Sequence, residues 1–225
     1  MEYLVTMTTH VPDGTTGEAV DDVRAREAAH TRELAAEGHV LRLWRPPLAP
    51  GEWRTIGLFA AAGAAELEGV LAGMPLRVWR TDEVEELVPH ANDTDPGAFP
   101  PPPRAAGDTA IEYFVIFTPD VANGDPAMSL EDATAGEGVR ARELARQGRE
   151  TRLWMLPEKH GVARNLGLYR AADAADMQAI LESLPLYKYH YLTTQVTPLT
   201  PHPSDPGAPG SRASVASQQP GARRG

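Results

Sequence analysis

The sequence predicts an α+β protein made of two ferredoxin-like domains that pack against each other within one chain. The first observation is an internal repeat: Glu27–Trp44 recurs as Glu137–Trp154, a constant shift of 110 residues that holds from residue 2 to residue 76. The second is that each copy shows the order β-α-β-β-α-β. This order is the split βαβ arrangement, a four-stranded antiparallel sheet with both helices on one face.

Local patterns in the first copy predict each element. A β-rich run at 3–8 precedes a helix over 18–37, which ends at Gly38, a residue that favours helix C termini. Residues 40–44 alternate like a strand. A Pro-Pro turn, a strand at 53–59, an Ala-rich helix at 61–72 and a strand at 76–84 follow. The second copy repeats the order, with strands near 111–118, 149–155, 163–169 and 186–196 and helices near 128–147 and 171–182.

The repeat sets the domain boundaries. We expect a first domain at residues 1–90, a linker at 91–110, a second domain at 111–202 and a tail at 203–225. A domain of about 90 residues can close its own core. The linker contains four consecutive prolines and is predicted to be semi-rigid and extended. The tail is poor in apolar residues and rich in Pro, Gly and Ser, which predicts disorder.

Each predicted sheet has one face that no helix covers. An apolar face of this kind requires a partner, and the other copy in the same chain can supply it. We therefore expect the two sheets to pack face to face as an intramolecular pseudo-dimer. The residues predicted to make this contact are Trp44, Thr55, Phe59, Trp154, Asn165 and Tyr169.

Composition excludes several classes of function. The net charge is −10 and no basic stripe occurs, so nucleic-acid binding is not expected. There is no cysteine, so disulfides, thiolate metal sites and a cysteine nucleophile are excluded. No histidine pair has metal-ligand spacing and no nucleotide-binding loop is present, so we expect neither a metal nor a cofactor. The chain shows no leader and no apolar run near the ~20 residues of a membrane span, which predicts a cytoplasmic protein.

One acidic residue in each copy lies where an apolar residue is expected. On a helix over 18–37, Glu27 shares the inward stripe with Val23 and Leu34, and Glu137 occupies the same place in the second copy. A half-buried carboxylate tends to have a raised pKa, which suits a general base near neutral pH. The alternative is an inward glutamate satisfied by an arginine or a backbone N–H.

Three segments together resemble the muconolactone isomerase family of bacterial aromatic catabolism. They are Glu27 ten residues before Glu37, the strand Leu43-Trp44-Arg45, and the second copy's ending, Leu184–Tyr189 followed by His202-Pro203-Ser204. The chain departs from that family in three respects. The family normally has one domain per chain and forms homo-oligomers, Met155 stands where the first copy has Arg45, and the first copy's ending lacks the tyrosines.

The resemblance implies a cofactor-independent isomerase that moves a double bond within a small carboxylated lactone. A carboxylate takes a ring proton, a dienolate forms, and a proton returns two carbons away. Glu27 and Glu137 would be the proton shuttles. Arg45 lies two residues after Leu43, so it faces the same side of the strand, where it would bind the substrate carboxylate. The further substrate-binding candidates are His30, Arg42, Arg140 and Arg152.

A second function stays open at this point. The chain could be a non-catalytic or differently catalytic member of the wider group of dimeric α/β-barrel proteins that binds a small hydrophobic or polyketide-like molecule. The pocket discriminates between the two functions. Glu27 and Glu137 opening into a cavity with a cation nearby would favour the isomerase, whereas glutamates sealed by a structural arginine would argue against it. Because Met155 replaces Arg45, we also expect unequal sites, with the first copy carrying most of the activity.

The family normally forms homo-oligomers. Further homo-oligomerisation of the pseudo-dimer is therefore also possible.

Overall fold

The computed structural model describes residues 1–93 and 109–208. The first domain comprises β1 (Glu2–Thr9), α1 (Gly17–Ala36), β2 (Val40–Arg45), β3 (Arg54–Ala60), α2 (Ala64–Gly73), a 3-10 turn (Pro75–Trp79) and β4 (Arg80–Pro89). The second comprises β5 (Ile111–Pro119), a 3-10 turn (Val121–Asn123), α3 (Leu130–Arg146), β6 (Glu150–Lys159), β7 (Val162–Ala171), α4 (Ala174–Glu182), α5 (Pro185–Lys188) and β8 (Leu192–Pro201). The predicted order of strands and main helices is confirmed in both copies.

The eight strands form one closed antiparallel barrel in the order β1-β3-β2-β8-β5-β7-β6-β4. Each domain contributes four neighbouring strands. The barrel closes where strands of different domains pair: Trp44 of β2 lies opposite Pro201 of β8, and Val88 of β4 lies opposite Met155 of β6. The expected face-to-face contact between the two sheets is present in the barrel interior. In addition, the edge strands of the two sheets pair with each other, which removes the free strand edges.

Three apolar cores lie within residues 1–93 and 109–208. The barrel interior contains side chains from both domains: Leu4, Trp44, Leu58, Leu87, Phe114, Trp154, Leu156, Leu166, Leu168 and Leu199. In each copy, one further core lies between the strands and the helices. It contains Leu34 of α1 in the first copy and Leu144 of α3 in the second. The helices thus cover the outside of the barrel, and each candidate site lies between a helix and the sheet.

Two pairs of strand residues lie on the face opposite to the predicted one. Trp44 and Trp154 do pack in the barrel interior, but Phe59 and Tyr169 belong to the helix-side cores. Trp44 lies opposite Ile56 in the pairing of β2 with β3, and directly paired residues share one face of the sheet. Ile56 and every second residue of β3 therefore face the barrel interior. Thr55 consequently faces the helices, and Asn165, opposite Phe117 of the second helix-side core, does the same.

A buried ion-pair network joins the two domains. The Arg42 side chain is 2% exposed, and its Nη1 and Nη2 donate to Glu112 Oε1 and Oε2 at 2.9 and 2.8 Å. Arg42 Nε donates to Asp205 Oδ1 at 3.1 Å, and Trp44 Nε1 donates to Glu112 Oε2 at 2.7 Å. Glu112 and Asp205 come from the second copy, and they lie 70 and 163 positions from Arg42 in the sequence.

The repeat produces the same network a second time. Arg152 Nη1 and Nη2 donate to Glu2 at 2.8 and 2.6 Å, and Arg152 Nε donates to Asp93 Oδ2 at 3.0 Å. Trp154 Nε1 donates to Glu2 Oε2 at 2.7 Å. Arg152 and its counterpart Arg42, both candidates for substrate binding in the sequence analysis, are thus engaged between the domains. The carboxylates around them satisfy their guanidinium groups within the protein.

The two aspartates of these networks move the domain boundaries outward. Asp205 is 1% exposed and Asp93 is 9% exposed, although the sequence analysis assigned both to the tail and the linker. Both aspartates thus lie buried beyond the predicted boundaries at 90 and 202. The rest of the predicted linker and tail, residues 94–108 and 209–225, lies outside the described residues. Within the described ranges, no helix is long and apolar enough to cross a membrane.

The helix-side core of the second domain contains an acid that the first domain lacks. Glu150 is 3% exposed and accepts a hydrogen bond of 2.7 Å from the Tyr169 hydroxyl. The equivalent residues of the first domain are the apolar Val40 and Phe59. Burial raises the pKa of Glu150 to about 7, the Tyr169 hydrogen bond opposes this, and the charge of Glu137 adds to the increase.

We expect this acid to make stability fall as pH rises. Its pKa is about 7 in the folded protein against an ordinary 4.5, so the folded state binds more protons between these values. The free energy of unfolding should therefore fall through this window, by about 1–3 kcal/mol for this group. Chemical denaturation at pH 5 to 8 measures the slope. The double variant Glu150→Val, Tyr169→Phe copies the first domain and should reduce it; an unchanged slope would contradict the assignment.

Candidate active site

Glu27 lies on the buried face of α1, as the helical periodicity predicts. The helix begins after Thr16, whose side chain accepts from the N–H of Ala19, and it buries Val23, Thr31 and Leu34. The Glu27 side chain lies on this stripe and is 12% exposed. Its carboxylate therefore faces the space between α1 and the sheet.

Two groups hold the Glu27 carboxylate. The backbone N–H of Leu76, in the 3-10 turn before β4, donates to Oε2 at 2.8 Å. Arg80 Nη1, at the start of β4, donates to Oε1 at 3.2 Å. Arg80 also donates to Asp82, from Nε at 2.6 Å and from Nη2 at 3.0 Å, so its charge is shared between two carboxylates.

Burial is the main influence on the acidity of Glu27. It raises the pKa, while the Leu76 N–H and the charges of Arg80 and His30 lower it and the charge of Asp82 raises it. The net direction is upward, as the sequence analysis predicted. A carboxylate of this kind is a stronger base than an exposed glutamate, which is the property required for proton abstraction.

Glu27 opens into a cavity of about 220 Å³ in the first domain. The wall is mixed in character. Its cationic side chains are Arg24, Arg45 and Arg80, its other polar ones are Thr9, Thr31, Thr55, His202 and Ser204, and its apolar ones include Met7, Leu43, Trp53, Met74 and Leu76. The guanidinium of Arg24 lies 5.0 Å from the centre of the Trp53 ring. The cavity thus combines one base with an excess of positive charge.

The second domain supplies part of this wall. Strand β8 pairs with β2, and the chain after it continues along the cavity, where the N–H of His202 donates to Leu43 O at 3.0 Å. His202 and Ser204 reach the first domain's site in this way. Burial and the charges of Arg45 and Arg24 lower the pKa of His202 to about 4. The site is therefore composite, and its histidine is neutral near pH 7.

The corresponding glutamate of the second domain has fewer partners. Glu137 Oε2 accepts from the N–H of Leu186 at 3.0 Å, which reproduces the bond from Leu76 to Glu27. Burial raises the pKa of Glu137 to about 7, and this hydrogen bond opposes the increase. In residues 1–93 and 109–208, Glu137 forms no ion pair equivalent to the one between Glu27 and Arg80.

The absence of that ion pair follows from an insertion that the sequence comparison did not reveal. Arg80 lies opposite Thr9 in the pairing of β1 with β4, and Leu192 lies opposite Pro119, the equivalent of Thr9. Four positions separate Leu76 from Arg80, whereas six separate Leu186 from Leu192. Leu192 thus replaces Arg80. The other two arginines of the cavity are also replaced, Arg24 by Thr134 and Arg45 by Met155.

A sequence profile of the muconolactone delta-isomerase family matches residues 1–93 and again residues 111–205. The chain belongs to the muconolactone delta-isomerase family. It is 33% identical over 90 residues to muconolactone delta-isomerase 1 of Acinetobacter lwoffii, which covers 40% of this chain and 91% of that relative. It is 32% identical over 90 residues to the muconolactone delta-isomerase of Cupriavidus pinatubonensis, with 40% and 95% covered. The match covers nearly the whole of each relative but less than half of this chain, consistent with a duplicated family domain.

Similar solved structures support the barrel architecture of this muconolactone delta-isomerase family member. A chlorite dismutase variant from Candidatus Nitrospira defluvii is similar with a TM-score of 0.54 at 13% identity, over 89% of this chain and 91% of that one. A heme-binding protein from Thermus thermophilus has a TM-score of 0.50 at 13% identity, over 91% and 93%. Identities this low show a shared fold alone.

Of the predicted site residues, the structure brings Glu27 and Arg45 together in the cavity. His30 lies on α1 with Nδ1 3.1 Å from Glu33 Oε2, outside the cavity wall. Arg140 donates to Ser183 at 2.9 Å and pairs with Glu143 at 2.8 Å, so it does not compensate Glu137. These two residues face neighbouring helical segments.

Three ionisable residues of the cavity wall, Arg24, Arg80 and His202, were not among the predicted site residues. Arg24 stands three positions before Glu27, and that helical spacing was a usable signal for a second cation beside the base. Arg80 depends on the strand register, which no local pattern reveals. His202 was noted only as part of the family resemblance, because its position across the domain boundary depends on barrel closure.

Proposed function

We propose that the protein is a cofactor-independent isomerase that moves a double bond within a small carboxylated unsaturated lactone, and that the cavity of the first domain carries the reaction. The decisive observation is that Glu27, with its raised pKa, opens into a cavity beside Arg24 and Arg45. Membership of an isomerase family supports the reaction class. A purely ligand-binding barrel would have no need of a buried base next to cations. By family resemblance we also propose a role in aromatic catabolism.

The reaction requires one base and no external acid. Glu27 takes the acidic proton of the lactone ring, and the electron pair of the broken C–H bond spreads into a dienolate. The protonated Glu27, which can exchange its proton with solvent water, then returns a proton to the ring two carbons away, which restores the carboxylate and shifts the double bond. The Leu76 N–H holds the carboxylate in a fixed orientation through both steps. A raised pKa reduces the cost of carrying the proton between them.

The cations give the site its preference for an acidic substrate. Arg24 and Arg45 both line the cavity. Arg24 also lies 3.9 Å from Asp21 in an exposed ion pair of α1, which contributes little to stability. Charge-assisted hydrogen bonds from guanidinium groups to a carboxylate are about twice as strong as neutral ones. A cavity of about 220 Å³ is on the scale of a small lactone.

An assay of purified wild-type protein on two lactones tests this function. Muconolactone should isomerise without added metal or cofactor, followed by its ultraviolet change. An unsaturated lactone of the same ring that lacks the carboxylate should react far more slowly, because it gains nothing from Arg24 and Arg45. The proposal fails if neither lactone reacts faster than in buffer.

We expect the variant Arg45→Met, which reproduces Met155 of the second domain, to bind the substrate less tightly. Loss of a charge-assisted contact costs about 1.5–3 kcal/mol, or roughly tenfold to a hundredfold in KM. The kcat should change little, because Arg45 contacts the carboxylate and not the reacting carbons. Arg26→Met removes one charge from the exposed side of α1 and serves as the control. Equal KM values for both variants would argue against a role for Arg45.

A further inference from the structure

We infer that His202, which belongs to the second domain, is a neutral hydrogen-bond donor that positions the substrate carboxylate in the first domain's site. The inference rests on the proposed function, since it names a further residue of the same site. It assigns the second copy a role in substrate binding even though its own site has lost its arginines. The residue acts with Arg24 and Arg45, the two cations whose charges reach its ring.

The backbone fixes the tautomer of His202. The N–H of Ser204 donates to His202 Nδ1 at 3.1 Å, so Nδ1 must be the unprotonated nitrogen that accepts. In a neutral ring the proton then resides on Nε2, on the opposite side of the imidazole. The bond from the His202 N–H to Leu43 O at 3.0 Å holds the residue in place on β2. His202, which lines the cavity, thus carries its ring proton on Nε2.

The charges around His202 keep it in this neutral form. Burial and the nearby guanidinium groups of Arg45 and Arg24 lower the pKa of the ring to about 4. A protonated imidazole would be repelled by both cations. Asp205, the nearest acid along the chain, is engaged by Arg42. The site therefore offers two charged donors and one neutral donor above about pH 5.

The Nε2–H of His202 has no acceptor among residues 1–93 and 109–208, although the ring lines the cavity. A half-buried donor without a partner loses hydrogen-bond energy unless a ligand or water supplies an oxygen. The nearby arginines select an anionic oxygen for that position. The geometry therefore points to one subsite in which Arg24, Arg45 and His202 together hold a carboxylate.

The chain provides a matched histidine for comparison. His90 donates from its N–H to Leu153 O at 3.0 Å, and its Nδ1 accepts from the N–H of Asn92 at 3.1 Å, as in the contacts of His202. His90 approaches the second domain, where Thr134 and Met155 stand in place of the arginines. Any structural contribution of such a histidine should therefore be equal at the two positions, while a contribution to carboxylate binding should appear at His202 alone.

Equilibrium binding of a saturated carboxylated lactone, which cannot isomerise, tests the inference separately from turnover. We expect His202→Phe to weaken its binding about tenfold or more, since a hydrogen bond to a charged group contributes roughly 1.5–3 kcal/mol. His202→Gln restores an N–H donor near the Nε2 position and should recover most of the affinity. His90→Phe should leave it unchanged. Thermal unfolding of all three variants verifies that they fold.

Steady-state assays on muconolactone complete the test. With His202→Phe we expect KM to rise about tenfold and kcat to stay within about threefold, because the lost contact is made equally before and during the reaction. The inference is overturned if His202→Phe and His90→Phe bind the saturated lactone equally, or if wild-type protein does not bind it. If the variants show the expected binding pattern but wild-type protein does not isomerise muconolactone, the proposed function is overturned and the carboxylate subsite is still supported.

Discussion

Replacing Glu27 by glutamine is expected to abolish most of the lactone isomerase activity. The amide retains the shape of the side chain and still accepts the N–H of Leu76, but it cannot take a proton. Because general base catalysis contributes about 10²- to 10⁴-fold, kcat/KM should fall by that order. Steady-state kinetics on muconolactone measure the loss, with the unfolding temperature as a check on folding.

Glu137→Gln is the matched variant in the second domain. It removes a carboxylate in the same place on the equivalent helix, with the same backbone hydrogen bond from Leu186. Because Thr134, Met155 and Leu192 stand where the first site has arginines, the second site lacks the charges that bind an acidic substrate. We expect kcat/KM to stay within about threefold of wild type. Equal losses from the two variants, or a larger loss from Glu137→Gln, would reverse the ranking of the sites.

The second large effect is expected on stability. Arg42→Ala removes the guanidinium that pairs with the buried carboxylates of Glu112 and Asp205. Removal of one partner from a buried ion pair typically costs about 3–5 kcal/mol. The network joins both domains, so chemical denaturation should show this loss for the whole barrel and not for one domain alone. The substitution also removes the guanidinium that lies 4.8 Å from the centre of the Trp44 ring.

An exposed ion pair serves as the control for that prediction. Arg26 pairs with Asp22 at 3.0 Å on α1, with both side chains more than half exposed. Exposed pairs contribute about 0–1 kcal/mol, so Arg26→Ala should leave the unfolding curve nearly unchanged. A loss below about 1 kcal/mol for Arg42→Ala would mean that the network does not hold the domains together.

Helical and strand periodicity predicted the part of the site that lies on regular elements. The 3.6-residue period placed Glu27 on the inward stripe of its helix, and the two-residue period placed Arg45 on the same side as Leu43. Both side chains meet in the cavity. The repeat also predicted two similar sheets in face-to-face contact, because an uncovered apolar face requires a partner.

Features that depend on strand register could not be predicted in this way. The faces of Thr55 and Phe59 follow from the pairing of Trp44 with Ile56, a property of two strands together. Leu192 stands in the place of Arg80 because the second copy has two additional residues between α4 and β8. A constant shift of 110 residues would instead align Arg80 with His190. Register is therefore the main source of error in the site as predicted.

Composition alone misjudged the two segments that cross between domains. Asp93 and Asp205 stand next to Pro- and Gly-rich sequence, which suggested a linker and a tail. Their burial arises from pairing with Arg152 and Arg42 across the closed barrel, and a contact between residues 59 to 163 positions apart leaves no local signal. The same crossing brings His202 into the first site.

Proton exchange in D₂O tests the central claim most directly, since it reports removal of the ring proton and not net conversion. Muconolactone is incubated with the wild-type protein, Glu27→Gln and Glu137→Gln, and ¹H NMR follows deuterium entering the ring carbons. We predict exchange with the wild type and with Glu137→Gln, and exchange at the buffer rate with Glu27→Gln. Exchange that persists in Glu27→Gln would contradict the assignment of this carboxylate as the base.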